Sequence, residues 1–183
     1  MESGRAGVGR TSRQNGRPEV YETESMAKQE TFSLRKHLAD LLRMKGAHVN
    51  FEAALSGLPV AMRGARPHGA PHSAWQLLEH MRIAQEDILD FSRNAKYREK
   101  KFPGDYWPAT EAPPSEDAWD KSVQQFQDDL KEMHELIADT KHDLLAKIPH
   151  GTGQTLLREA LLVADHNAYH LGQLVYLRKM MEG

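Results

Sequence analysis

The sequence predicts an all-α protein, a four-helix bundle ordered up-down-down-up with one long crossover between the second and third helices. Two observations carry this. Four stretches poor in proline place apolar residues at steps of three and four, the helix period, while none reads as a strand or repeats another. The connection from Arg93 to Pro114 is long enough to return along the second helix, about 28 Å, and to start the third parallel to it. A short loop there would give only antiparallel neighbours.

The chain has 183 residues, enough for one domain with a core of its own. Residues 1–28 are rich in glycine and arginine, then acidic, with almost no large apolar side chains. They cannot bury enough surface to offset the entropy of ordering. They read as a disordered extension, or as an over-long start before Met26, and the bundle as residues 29–183. The first helix is expected from Thr31 to about Lys45, with Leu34, Leu38, Leu41 and Leu42 as its stripe. Gly46 interrupts it. Asn50 caps a short continuation through Phe51, Ala54 and Leu55, ended by Gly57 and Pro59.

Ser73 is placed to cap the second helix, Ala74 to about Ser92, whose stripe is Leu77, Met81, Ala84, Ile88 and Phe91. The long crossover follows, and a loop of that length in a compact domain is often functional. Ser115 is expected to cap the third helix, with Glu116 and Asp117 in its first turn, and the helix to run to about Lys147. The fourth spans Thr155 to Glu182, with no proline and one glycine.

On that last helix His166 and His170 are four apart, so they share a face. Two imidazoles at that spacing can share one metal ion. His170 lies on the apolar line itself, with Val163, Asn167 and Leu174, and both point toward the bundle interior. On the pair alone, a chance spacing of core histidines remains open. His80 stands one residue off the second helix's stripe, at the core edge, and the topology brings it near the pair. Three neutral imidazoles with an open position form a ligand set of catalytic type, suited to Zn, Ni or Fe rather than Mg or Ca. Glu-x-x-His does not occur, which disfavours a di-iron bundle. There is no His-Glu-x-x-His and no Gly-rich phosphate loop.

The net charge of −2 exerts no overall pull toward nucleic acid or acidic membranes, and no helix is a basic recognition helix. No apolar run approaches the ~18 residues of a membrane span. The absence of cysteine excludes disulfides, thiolate metal sites and cysteine nucleophiles, and fits a reducing cytoplasm.

The segments Ser73-Ala74-Trp75-Gln76-Leu77-Leu78-Glu79-His80-Met81-Arg82 and Ala164-Asp165-His166-Asn167-Ala168-Tyr169-His170-Leu171-Gly172-Gln173-Leu174 resemble the DinB-like (YfiT-type) four-helix-bundle superfamily. The resemblance covers roughly residues 31–181. It implies one divalent transition metal (Zn, Ni or Fe) on His80, His166 and His170, water in the open positions, and a homodimer. Characterised relatives include thiol-dependent S-transferases and isomerases, which implies a low-molecular-weight thiol as a second cofactor.

Further pocket candidates follow from helix geometry. Gln173, three residues after His170, can face the same cavity. Asp87, seven after His80, shares its face, with a solvent-facing role slightly favoured. Asn167 is placed to satisfy a buried polar contact. Glu79 and Asp165 point about 100° away from the ligands. Tyr106 and Trp107 either cover the cavity mouth or pack the core. Two functions compete. One is a metal-dependent transferase or hydrolase that activates a thiol or water against a small-molecule substrate. The other is a non-catalytic metal-binding or dimerisation module of the stress response. A closed four-ligand site would favour the second.

Overall fold

The computed structural model describes residues 18–44 and 46–182. Among them the regular elements are α-helices, one 3-10 turn at Gly104–Tyr106 and one isolated antiparallel bridge between Lys147 and Thr155. The helices are α1 (Pro18–Leu42), α2 (Phe51–Leu55), α3 (Val60–Arg63), α4 (Ala74–Arg93), α5 (Ala118–Ala138) and α6 (Leu156–Glu182). All-α is therefore the observed class.

Helix α1 begins at Pro18 rather than at the expected Thr31. Proline is tolerated at that position because the first turn leaves its N–H unbonded anyway. The rest of the extension, residues 1–17, lies outside the described residues. A boundary between two compact units falls after Leu34. Within the second unit Leu38 and Leu42 are buried, whereas Leu41 is exposed, so the stripe keeps its step of four and loses the off-phase leucine. The chain leaves α1 through Met44, which takes a left-handed φ of 51°.

Asn50 caps α2 as expected, accepting from the Ala53 N–H at 2.9 Å. Helix α4 has the expected cap. Ser73 Oγ accepts from the Gln76 N–H, and the Gln76 side chain accepts from the Ser73 N–H. Two donors that helix geometry leaves unpaired are thus satisfied at the start of the element that carries His80.

Helix α5 departs from expectation at both ends. Ser115 does not cap it; its hydroxyl donates to Asp117 Oδ1, and the helix begins at Ala118. It ends at Ala138, well short of Lys147. Asp139 and Asp143 each accept a backbone N–H two residues on, from Lys141 and Leu145. Such local bonds compete with helix continuation. Arg35 reaches in to the carbonyls of Ile137, Asp139 and His142, satisfying the last turn. The apolar spacing from Ile137 to Leu144 survives because Leu144 is buried in the following turn.

Helix directions follow from paired residues. Ser122 Oγ donates to Glu79, Gln85 donates to the Phe126 carbonyl and Arg93 pairs with Glu132, so α4 and α5 run parallel. Between α4 and α6, His80 meets His170 and Gln85 bonds Asn167, so those two run antiparallel. The core lies among α2, α4, α5 and α6. Phe51 stacks on Phe126 at 4.0 Å, with Leu78, Met81, Leu171 and Leu174 around them.

Candidate metal centre

The antiparallel contact of α4 with α6 brings the three predicted histidines together. One nitrogen from each of His80, His166 and His170 lies within 4.8 Å of the other two. The Nε2 atoms of His80 and His166 are 3.1 Å apart. His80 and His170 are buried and His166 is half-buried.

The proton positions can be argued from the partners. His80 Nδ1 lies 2.9 Å from the Tyr106 carbonyl, which can only accept. The proton therefore sits on Nδ1, and a neutral His80 presents a lone pair at Nε2. His170 Nδ1 donates in the same way to Gln173 Oε1 at 2.8 Å. A hydrogen bond at one ring nitrogen that fixes the lone pair at the other is the usual support for a ligating histidine. His166 differs: its buried Nδ1 makes no hydrogen bond of normal geometry, and neither does the buried Oδ1 of the neighbouring Asn167, which lies close enough only to act on its charge.

Burial holds all three imidazoles neutral. It pushes His166 down to about 4, with the neighbouring His170 and His80 adding to the effect against an opposing contribution from Asn167. His80 and His170 are also lowered by burial, against the Tyr106 carbonyl and Gln173 respectively. Neutral imidazole is the form that ligates. An all-nitrogen donor set, with lone pairs oriented by second partners and one pair of Nε2 atoms facing each other, fits a divalent transition metal.

The triad stands in the wall of a cleft of ≈ 960 Å³ between α4, α6 and the crossover. Trp107 covers one side of His80, ring on ring at 3.9 Å and 2°, and it also stacks on His72 at 4.0 Å and meets the edge of His170 at 6.4 Å. Trp107 lines the cleft and also packs against the hydrophobic core, so it combines the two crossover roles. Asp87 also lines this cleft, but the expected solvent-facing role is overturned. It is buried, accepting from Tyr106 Oη at 2.6 Å and Tyr97 Oη at 3.1 Å, with Lys100 at 4.0 Å. Burial and then the Asp87 carboxylate raise both phenols, Tyr97 to about 12. Tyr106 thus has two attachments, its carbonyl to His80 and its hydroxyl to Asp87.

The other candidates lie outside the cleft. Gln173 sits behind His170 and lines a smaller hollow of ≈ 340 Å³. Asn167 is buried and donates to Gln85 Oε1 at 2.8 Å, a polar contact of the kind expected. Glu79 pairs with Arg82 and Ser122 on the α5 side, and Asp165 is exposed. Glu159, Arg158 and Tyr97 line the cleft and escaped the sequence reading. Glu159 was findable, since it lies seven residues before His166 on the same helix. Tyr97 carried no such signal, because its place depends on the path of the crossover.

Residues 43–174 match the family model of the DinB superfamily, more than half of the chain. The chain belongs to the DinB superfamily. A DinB superfamily member is typically metal-binding, and the three histidines are close enough to hold an ion. Comparison with curated proteins gave no match, nor did comparison with solved structures. No helix among the described residues is long and apolar enough to cross a membrane.

Proposed function

We propose that this DinB superfamily chain is a metal-dependent enzyme, a thiol-dependent S-transferase or a hydrolase, acting on a small molecule in the cleft. His80, His166 and His170 would hold one divalent ion (Zn, Ni or Fe). The single observation that carries this reading is the meeting of three neutral imidazoles in the wall of a large cleft, with no fourth ligand in the group among the described residues. When bound, the ion supplies Lewis acidity and lowers the pKa of a coordinated water or thiol.

The chain's own residues do the rest. Tyr106 and Gln173 fix the tautomers of His80 and His170, Trp107 shields one face of His80, and Asp87 anchors the crossover that delivers Tyr106. The same reading includes the up-down-down-up order of a DinB bundle, a homodimer, a cytoplasmic setting and no nucleic-acid partner. Its support is the parallel α4–α5 pair, the family, and the near-neutral charge.

Elemental analysis of protein purified without an affinity tag tests the centre. About one equivalent of a transition metal is expected, and replacing His80, His166 or His170 with Ala should abolish most of it. His134→Ala and His142→Ala should leave it intact. Metal content indifferent to the three substitutions would reject the reading. A screen of low-molecular-weight thiols with electrophilic acceptors then tests turnover. X-ray absorption showing a closed shell of four protein ligands would favour the non-catalytic alternative.

A further inference from the structure

We propose that the end of the cleft away from the histidines is a binding site for an anionic group, so that the ligand is an elongated small molecule with a carboxylate at its far end. The span to the metal rests on the function proposed above; the anion site does not. Arg158 lines the cleft together with His166 and lies eight residues before it on α6, about 12 Å along the axis. Its guanidinium is held from behind by Glu159, which is 1% exposed and whose two oxygens both accept from Nη1, at 2.8 and 3.0 Å. Among the described residues no group takes Arg158 Nε or Nη2. Those two atoms form the fork that matches a carboxylate.

Gln154 adds to the same end. Its Oε1 accepts the Thr152 N–H at 2.7 Å. A backbone N–H can only donate, so the orientation of the amide is settled and its NH₂ remains free. The loop that carries it packs tightly. A Cβ at Gly151 would come within 2.7 Å of Gln154 Oε1 and 3.0 Å of the Phe91 ring, so glycine permits this closure. The uncommitted polar atoms of Arg158 and Gln154 are thus all donors, while the nearby acceptor, Glu159, is already used. The other buried carboxylate of the cleft, Asp87, is likewise taken by two phenols. Between the two ends Ile88, Phe91 and Leu162 offer an apolar wall suited to a hydrocarbon or aromatic middle.

Two calorimetric comparisons test this and keep the two readings apart. On metal-free protein, octanoate should bind about tenfold tighter than octanol, the equivalent of about 1.4 kcal/mol. Gln154→Glu retains the acceptor for Thr152 but turns the free donor into an acceptor, and should bring the preference close to parity. Arg158→Lys retains the charge and its pairing with Glu159 but removes the fork, and should reduce the preference severalfold. Circular dichroism of each variant should match the parent. Parity in the parent, or a preference that survives both substitutions, would overturn the anion site. On zinc-loaded protein, ω-mercaptooctanoate should bind tighter than both octanoate and ω-mercaptooctanol. Failure to exceed octanoate, with the carboxylate preference intact on metal-free protein, would count against the metal reading and leave the anion site standing.

Discussion

Helix α4 buries polar groups on two sides, and the two sides are finished differently. Toward α5, Glu79 accepts from Arg82 and from Ser122, Arg82 also reaches Glu86, and Gln85 donates to the Phe126 carbonyl. Toward α6, two imidazole nitrogens face each other at 3.1 Å, and His166 Nδ1 is left without a partner. Both sides pay desolvation for their polar atoms. On the first the protein supplies nearly all the partners, so the network holds helices together. On the second, the Tyr106 carbonyl and Gln173 hold the outward nitrogens of His80 and His170, the facing Nε2 atoms of His80 and His166 have each other, and His166 Nδ1 has no partner, an arrangement that suits the metal site proposed above.

The largest effect that separates the two sides is metal retention. His166→Ala should lose most of the bound metal while changing the melting temperature of metal-free protein little, because the parent gains nothing from a buried, half-satisfied ring. Added zinc should raise the melting temperature of the parent by binding the native state preferentially, and should not raise that of the variant. A metal-free variant that melts far below the metal-free parent would erase the contrast and make His166 a structural residue.

Glu79→Gln should produce the next largest effect, a loss of about 2 kcal/mol at neutral pH with metal content unchanged, read by urea unfolding. Its pH dependence has a definite sign. Burial raises the Glu79 carboxyl, but the Arg82 and Ser122 hydrogen bonds and the Arg82 charge outweigh it and hold it below its ordinary 4.5. Its contribution is therefore present above the unfolded pKa and is lost as pH falls through the lower folded value. Parent and variant should converge in acid well below pH 4.5; a gap that persists there would show that shape rather than charge is at stake.

Asp129 sharpens the comparison as the exception on the α5 side. It is buried, and its Oδ2 has no partner. Burial raises its carboxyl above 3.8, with Glu86 and Glu132 adding to this against Gln125 and Arg82. The sign is opposite to that of Glu79: ionisation costs stability at neutral pH, and the cost is relieved as pH falls through the raised folded value. Asp129→Asn should stabilise modestly at neutral pH, by about 1 kcal/mol, and the gain should vanish in acid. A destabilised variant at neutral pH would mean that Oδ2 has a partner after all.

An effect of similar small size is expected for Tyr106→Phe. It removes the 2.6 Å bond to Asp87 but keeps the carbonyl that holds His80. A loss of about 1 kcal/mol in stability with metal still bound is expected from unfolding and elemental analysis together. Complete metal loss would show that the hydroxyl anchor is needed to place the carbonyl.

What was legible in the sequence was local. The Asn50 and Ser73 caps, the span of α6 and the i, i+4 pair at His166 and His170 depend on neighbours within a turn or two, and each is present. His80 needed only the helix stripe and a guess at which helices touch. The misread parts depend on competition or on distant chain. The end of α5 was hidden because Ile137 and Leu144 keep helical spacing across a turn, and only the Asp139 and Asp143 side chains reveal the stop. The start of α1 was hidden because a helix with exposed polar faces, such as the stretch from Thr23 to Phe32, has no apolar stripe to show. The buried setting of Asp87 is illegible in the sequence, because nothing near it along the chain foretells that Tyr97 and Tyr106 fold back onto it.

The stacking of Trp107 also matters for light. Of the three tryptophans, Trp75 and Trp119 are buried in the core, whereas Trp107 lies against the rings of His80 and His72. Its excited state therefore responds to changes at His80, at His72 and in the cleft that Trp107 lines. With Trp107→Phe as the blank, emission of the unlabelled protein offers a direct way to follow a zinc titration of the three histidines proposed above.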